Sequence, residues 1–129
     1  MPVRLVEKLA VNAGINATTA LARLENGAVL GGDAGALAGA AARETAAVAR
    51  AEGIDLPDRA AERALESVAA DTAANTSSMH QDVLAERRTE VDAINGYVAD
   101  RADELGVDAP VNRTLARLLR AWEAGRGLR

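Results

Sequence analysis

The first polar feature of the sequence is a stripe of three side chains near its start. Lys8, Asn12 and Asn16 are spaced by four residues, so on a helix they climb about 6 Å per step and drift about 40° around the axis. A stripe exposed to water is one interpretation. Asparagine, however, is a weak helix former, and glutamate or arginine would be better solvated. The other interpretation is therefore that the two asparagines are chosen for hydrogen bonding.

The cation in this stripe stands out from the composition of the chain. Among fifteen basic residues Lys8 is the only lysine, and the rest are arginines. Codon bias is one explanation of this skew. The other is that position 8 requires a compact ammonium group able to shift its pKa. On the residues alone both explanations stay open.

Two more polar segments lie in the second half of the chain. Ser78 with Gln81 three residues later matches a capping box, which predicts a helix start. The free N–H groups of such a helix end also suit a small carboxylate. Thr89 with Asp92 resembles a second capping box, and Glu90 follows in the first turn, where the helix dipole favours an acid. A solvated charge is the simpler interpretation of Glu90.

Helices must position these residues, because apolar residues recur at three- and four-residue spacing and no segment alternates with period two. The first helix should stop at Asn26-Gly27, where glycine can adopt the left-handed conformation. The signals predict helices over Val3 to Leu24, Asp33 to Gly53, Pro57 to Asn75, a short stretch from Ser78, Thr89 to Leu105, and Pro110 to Gly125. We expect one all-α domain over residues 1–129, a compact bundle of about six helices.

The composition and charge of the chain exclude several classes of binding partner and metal site. The chain has no cysteine, which excludes disulfides and thiolate metal sites. A net charge of -4 and a pI near 5.0 do not provide the basic surface that nucleic acids or anionic membranes require. The start of the chain lacks a continuous apolar segment of the signal-peptide kind. We expect a cytoplasmic protein with neither a nucleic-acid nor a membrane partner.

The glycines of the sequence do not form a nucleotide-binding motif. Between Gly27 and Gly39 neither the G-x-G-x-x-G spacing nor the Walker spacing occurs, and no predicted strand precedes them. The single histidine, His80, has no convincing companions as a metal ligand or catalytic base. No cofactor-binding residue and no metal ligand is therefore predicted on this chain.

Three segments in a fixed order resemble the C-terminal domain of the ketopantoate reductase family. They are KLAVNAGINATTAL from Lys8, NTSSMHQD from Asn75 and RRTEVDAINGYV from Arg87. A GVDAPVN segment follows, which is similar to that family's Gly-Val-x-x-Pro segment. The resemblance covers nearly the whole chain, and the matching separations make it specific.

The resemblance implies an activity and two catalytic residues. The reaction would be the NADPH-dependent reduction of 2-dehydropantoate to pantoate, in the biosynthesis of pantothenate and coenzyme A. Lys8 would be the catalytic lysine, which donates a hydrogen bond or a proton to the carbonyl oxygen as hydride arrives. Glu90 would orient Lys8 and the substrate. A cation beside a developing alkoxide stabilises the transition state more than the ground state.

The resemblance also implies residues that bind the small 2-keto acid. Asn12 and Asn16 would hold its hydroxyl end and Ser78 its carboxylate. Asn75 is a further candidate for substrate binding.

The N-terminal Rossmann half of the family has no counterpart in this sequence, because only seven residues precede Lys8. We therefore expect a substrate-binding or dimerisation-type domain that is inactive without a Rossmann domain in cis or in trans. NADPH is expected for the full-length enzyme and no cofactor for this chain alone. Apolar surface uncovered by the missing half also suggests a homo-oligomer. The alternative is a stand-alone helical interaction or oligomerisation module that has lost the reductase chemistry.

Overall fold

The computed structural model describes residues 2–129, and within that range it contains six α-helices and no β-strand. The helices are α1 (Val3–Ala22), α2 (Gly32–Ala51), α3 (Asp58–Asp71), α4 (Ser78–Leu84), α5 (Asn95–Leu105) and α6 (Pro110–Gly125). Two short 3-10 turns, Asn26–Leu30 and Val91–Ala93, lie between them. The predicted all-α bundle of about six helices is confirmed. None of the helices described is both long and apolar enough to cross a bilayer.

Helix α1 is the central element of the bundle. It packs most extensively against α2 and also contacts α3, α4 and α6. The α1 face at these contacts is built from small residues, which let helix backbones approach closely. At Gly14 an added Cβ would lie 2.7 Å from the Ala38 carbonyl oxygen of α2. The fully or almost fully buried alanines of α1 are Ala10, Ala13, Ala17 and Ala20.

A buried polar network joins α1, α2, α5 and α6. Asn95 Nδ2 donates to Ala13 O (2.9 Å) and to Asn112 Oδ1 (3.0 Å). Asn112 Nδ2 in turn donates to Ala41 O (3.1 Å) and to Glu44 Oε1 (3.0 Å). The Glu44 carboxylate also accepts the Asn112 backbone N–H (2.9 Å), so it caps the first turn of α6.

The end of α1 differs from the prediction. The left-handed residue after the helix is Arg23, with φ 58°, and Gly27 has no positive φ. Asn26 N–H instead donates to Asn75 O, and Gly27 N–H donates to Ala73 O, both at 3.0 Å. These bonds to a distant loop hold the Asn26-Gly27 segment in a 3-10 turn.

The predicted helix start at Thr89 is wrong, because α5 begins six residues later at Asn95. Thr89 is buried, and both its N–H and its hydroxyl donate to the Glu123 carboxylate of α6. A 3-10 turn follows, and Ile94 breaks the chain direction with φ -112° and ψ -94°. Thr89 is therefore anchored to another helix and does not cap its own.

Candidate functional site

Helix α1 presents the predicted polar stripe on its surface. Lys8 is exposed, and Asn12 and Asn16 are half-buried. Val11 and Ile15, which lie between them in sequence, are buried in the core. Burial of this apolar face fixes the rotation of α1 and leaves the stripe outside the core.

A groove of about 390 Å³ brings part of this stripe together with the segment around residue 90. Its polar members are Lys8, Asn12 and Glu90. Its apolar members are Leu5, Leu9, Ala93, Ile94 and Tyr97. We call this cavity the Lys8–Glu90 groove. Two residues predicted to be catalytic and one predicted to bind substrate thus share one concave surface.

The two charges of the Lys8–Glu90 groove are both accessible. Lys8 and Glu90 are exposed, and within residues 2–129 neither side chain forms a hydrogen bond or an ion pair with the other or with another group. An ammonium group in such a place can stabilise negative charge that develops on a ligand. A carboxylate can accept hydrogen bonds from the same ligand or from the ammonium group.

The backbone holds Glu90 at the edge of this groove. Its neighbours Thr89 and Val91 are both buried, and Glu90 O accepts a hydrogen bond from Ala93 N–H at 3.0 Å. The Glu90 side chain is therefore the exposed member of a segment whose flanking residues are anchored in the core.

The other predicted site residues are absent from the lining of the Lys8–Glu90 groove. Asn16 lies two turns along α1, a rise of roughly 12 Å from Lys8. Asn75 is exposed in the loop before α4, and Ser78 is the exposed first residue of α4. This end of α4 is attached to α1, because Thr19 Oγ1 lies 2.8 Å from Ser77 Oγ.

The predicted capping box at Ser78 is displaced by one residue. Ser77 is the N-cap, and its Oγ accepts the His80 N–H at 3.2 Å. Gln81 Nε2 bonds to Thr76 O, at 3.1 Å, and does not return to the cap. Of the two adjacent serines, the one that caps α4 is the one in contact with Thr19, 58 residues away in the sequence. Local spacing cannot predict a contact over that separation.

A second, larger groove of about 530 Å³ lies on the other side of the same stripe, between α1 and α3. Lys8 and Asn12 line it too, together with Arg4, Glu7 and Ser67 among others. Glu90 lines the first groove only. The stripe is therefore a ridge between two cavities, each with one carboxylate, Glu7 in the larger and Glu90 in the smaller. The Lys8–Glu90 groove is the stronger candidate for chemistry, because it holds both of the residues predicted to be catalytic.

The apolar wall of the Lys8–Glu90 groove was not among the predicted site residues. Leu5 and Leu9 share the α1 face with Lys8 and Asn12, since all four follow three- and four-residue spacing. Tyr97 is one of only two aromatic residues in the chain. Helical spacing was thus a usable signal for Leu5 and Leu9, whereas the position of Tyr97 depends on the late start of α5.

An ion-pair cluster lies beside the segment that carries Glu90. Burial acts to raise the pKa of Asp92, but hydrogen bonds from Arg120, Arg129 and Arg88 outweigh it and lower that pKa to about 2. The corresponding distances to Asp92 are 2.8, 2.9 and 3.3 Å. Asp92 is therefore a carboxylate that stays ionised and ties the segment to α6 and to the residues that follow α6.

Comparison with known proteins gives the family. The model of the ketopantoate reductase PanE/ApbA C-terminal domain matches residues 3–123. The chain belongs to the ketopantoate reductase family. The recognition from the three sequence segments is thereby confirmed.

Relatives of the ketopantoate reductase family extend well beyond this domain. The chain is 46% identical over 121 residues to the 2-dehydropantoate 2-reductase of Halobacterium salinarum, covering 92% of this chain and 40% of that protein. A ketopantoate reductase structure from Ralstonia eutropha matches 96% of this chain and 42% of that one, with a TM-score of 0.87 and 35% identity.

A D-mandelate dehydrogenase structure with NADH and anilino(oxo)acetate also has this fold, with a TM-score of 0.89 and 25% identity over 98% of this chain and 42% of that one. The chain thus spans less than half the length of each of these three proteins.

Proposed function

We propose that this chain is the substrate-binding C-terminal half of an NADPH-dependent 2-dehydropantoate 2-reductase, working together with a Rossmann half. The observation that carries the proposal is the meeting of Lys8, Asn12 and Glu90 in one groove. Membership in the ketopantoate reductase family supports it. In this proposal residues 1–129 form a single domain that contributes one wall of the active site.

Lys8 is proposed as the catalytic cation. The keto acid lies in the Lys8–Glu90 groove with its carbonyl oxygen at the Lys8 ammonium group. As the carbonyl becomes an alkoxide, the ammonium group stabilises the growing negative charge and then supplies the proton. Lys8 forms no ion pair within residues 2–129, so its N–H groups are available to the substrate.

Glu90 and the asparagines are proposed to orient the reacting groups. Glu90 lies in the same groove and accepts a hydrogen bond from Lys8 or from a substrate hydroxyl. Asn12 and Asn16 offer amide donors and acceptors to the hydroxyl end of the substrate. Ser78 is assigned to the carboxylate, and Asn75 is a further contact. Asn16, Ser78 and Asn75 lie outside the groove lining, so their assignment rests on the family resemblance.

The hydride donor is proposed to come from the Rossmann half, which would form the other wall of the active site. NADPH supplies the hydride when it is bound. Leu5, Lys8 and Glu90 are exposed, which leaves the groove accessible from outside the domain and fits a donor carried by a second domain. The homo-oligomer stays a prediction. Exposed leucines such as Leu37 and Leu118, beside one apolar cavity, are compatible with it.

Reconstitution with a Rossmann half tests this proposal. The Rossmann half of the Halobacterium relative is fused to this chain or mixed with it, and NADPH absorbance is followed with 2-dehydropantoate. We expect turnover that requires both halves. Lys8→Ala should lower kcat by about 10²–10⁴-fold, the range for loss of a positioned acid. Lys8→Arg should not restore it, because a guanidinium is larger, planar and retains its proton.

Arg4→Ala is the matched control. Arg4 is an exposed cation one turn before Lys8, and it lines only the second groove, so we expect a much smaller change. Turnover by the isolated chain would disprove the half-enzyme proposal. Full activity of Lys8→Ala would disprove the residue assignment. A folded chain that binds the Rossmann half and gives no turnover would favour the stand-alone interaction module.

A further inference from the structure

Glu123 is an acid without any exposed surface. It lies near the end of α6 and has a relative exposure of 0%. An ionised carboxylate out of contact with water is strongly unfavourable unless other groups replace its hydration. Neither the sequence segments that resemble the family nor the Lys8–Glu90 groove includes this residue.

Four hydrogen bonds satisfy the Glu123 carboxylate. Oε2 accepts from Thr89 N–H at 2.6 Å and from Thr89 Oγ1 at 2.9 Å. Oε1 accepts from Arg129 Nε at 3.0 Å and from Arg129 Nη2 at 2.8 Å. One oxygen is thus committed to a counter-ion and the other to the residue immediately before Glu90.

The Thr89 hydroxyl links Glu123 to the backbone on the other side of Glu90. The same oxygen that donates to Glu123 accepts the Val91 N–H at 3.3 Å. Beyond Val91, the Ala93 N–H donates to Glu90 O at 3.0 Å. The backbone on both sides of Glu90 is therefore attached, directly or through one hydroxyl, to a carboxylate on another helix.

We propose that Glu123 is a positioning residue for Glu90. By holding both Thr89 donors, it fixes the start of the 3-10 turn and keeps the Glu90 carboxylate at the edge of the Lys8–Glu90 groove. Glu123 itself does not touch the groove. The inference rests on the proposed function for its catalytic part, whereas the anchoring of residue 90 can be measured without turnover.

A double-mutant cycle tests the catalytic part in the reconstituted enzyme. Thr89→Val removes the bridging hydroxyl at nearly constant shape, Thr89→Ser retains it, and Glu123→Gln removes the charge. Thr89→Val and Glu123→Gln should each lower kcat/KM about 10- to 100-fold, as expected for a misplaced catalytic group. Thr89→Ser should restore most of the activity.

The decisive comparison repeats these changes in a Glu90→Gln background. If Thr89 and Glu123 act through Glu90, Thr89→Val and Glu123→Gln should add less than about 2-fold there, because the group that they position is already gone. A role in folding alone would give the same loss in both backgrounds. Equal losses would overturn the proposal.

Amide hydrogen exchange of the 129-residue chain separates this proposal from the function. The Ala93 amide, which bonds to Glu90 O, should exchange faster in Thr89→Val and in Glu123→Gln. It should be unchanged in Thr89→Ser and in Glu104→Gln, an exposed acid of α5 used as the control. If the reconstituted wild type gave no turnover, the proposed function would be wrong. The exchange data would still show whether Glu123 and Thr89 anchor the backbone at residue 90. Unchanged Ala93 exchange in both variants would overturn the inference.

Discussion

The two walls of the Lys8–Glu90 groove are held in place by different interactions. On one side α1 carries Lys8 and is fixed by close packing of small apolar residues against α2. On the other side the segment with Glu90 has little regular structure and is fixed by charged hydrogen bonds to Glu123 and around Asp92. The contrast shows that one site can combine a wall positioned by shape with a wall positioned by charge.

This difference predicts different sensitivities. Packing contacts respond to changes of volume and are insensitive to pH. Buried charged hydrogen bonds respond most to loss of a partner, because the remaining donors or acceptors are then left unsatisfied. Substitutions in the two walls should therefore be separable by size of effect and by the conditions that reveal it.

The largest stability effect is expected in the charged wall. Glu123→Ala leaves the buried N–H and hydroxyl of Thr89 without their acceptor, and should lower the free energy of unfolding by about 3 kcal/mol. Urea denaturation followed by circular dichroism measures it. Glu104→Ala, at an exposed ion pair with Arg101, is the control and should change stability by less than about 0.5 kcal/mol. Equal effects of the two variants would contradict the contrast between the walls.

A smaller loss of stability is expected at Asn112, where α6 is joined to α2. Asn112 connects α6 to α2 through Ala41 O and Glu44 and is fully buried. Asn112→Ala should lower the free energy of unfolding by about 2 kcal/mol, because several buried groups lose partners at once. Asn12→Ala is the control for stability, since Asn12 is half-buried and forms no side-chain hydrogen bond within residues 2–129. A loss for Asn12→Ala as large as for Asn112→Ala would disagree with this account.

The asparagines of this chain show which features of the structure can be predicted from the sequence and which cannot. Helical spacing predicted the six helices and the shared stripe of Lys8 and Asn12 on α1, because both follow from local periodicity. It did not reveal that Asn95 and Asn112 are buried, since their partners include the carbonyl oxygens of Ala13 and Ala41. Every residue has such a carbonyl, so a backbone acceptor leaves no signature in the amino-acid sequence.

In the packed wall, we expect a modest change of stability whose sign depends on where an added Cβ atom is placed. Gly14→Ala places a Cβ 2.7 Å from Ala38 O and 3.0 Å from Leu65 Cδ1. The overpacking should exceed the gain in helix propensity and leave a net loss of about 1 kcal/mol. Gly39→Ala, in the facing helix α2, meets only the flexible end of Arg43 at 3.2 Å. It should therefore stabilise the chain by about 0.5 kcal/mol. Thermal unfolding of the two variants gives the sign of each change, and a stabilising Gly14→Ala would refute the close approach.

The smallest effect expected is the loss of stability at low pH that follows from protonation of Asp92. The pKa of Asp92 is lowered to about 2 from 3.8, so its ionised form stabilises the fold above about pH 4, and this contribution is lost as the pH falls through about 2. Because the side chain is 44% exposed, we expect less than about 1 kcal/mol. The stability of the wild type relative to Asp92→Asn should shrink between about pH 4 and pH 2. A gap that is constant with pH would argue against the charged wall, and Asp55→Asn, in an exposed loop, is the control.

Helix ends were less predictable than helix interiors for a related reason. The cap at Ser77 and the late start of α5 are both decided by partners far along the chain, Thr19 for Ser77 and Glu123 for Thr89. Capping patterns consider only hydrogen bonds between side chains and backbone groups within a few residues of a helix end. When a distant group offers a better acceptor, the local pattern gives the wrong boundary.

The alanine-built interface of α1 also determines how sharply Lys8 is placed. An alanine side chain has no rotamers to restrict, so burying Ala10, Ala13, Ala17 and Ala20 forfeits no side-chain conformational entropy on folding. The larger side chains Val11 and Ile15, also buried on α1, pack in the same core cluster as Ala10. The helix that carries Lys8 is therefore held through short side chains close to its backbone, whereas the exposed Lys8 side chain keeps its own rotamer freedom.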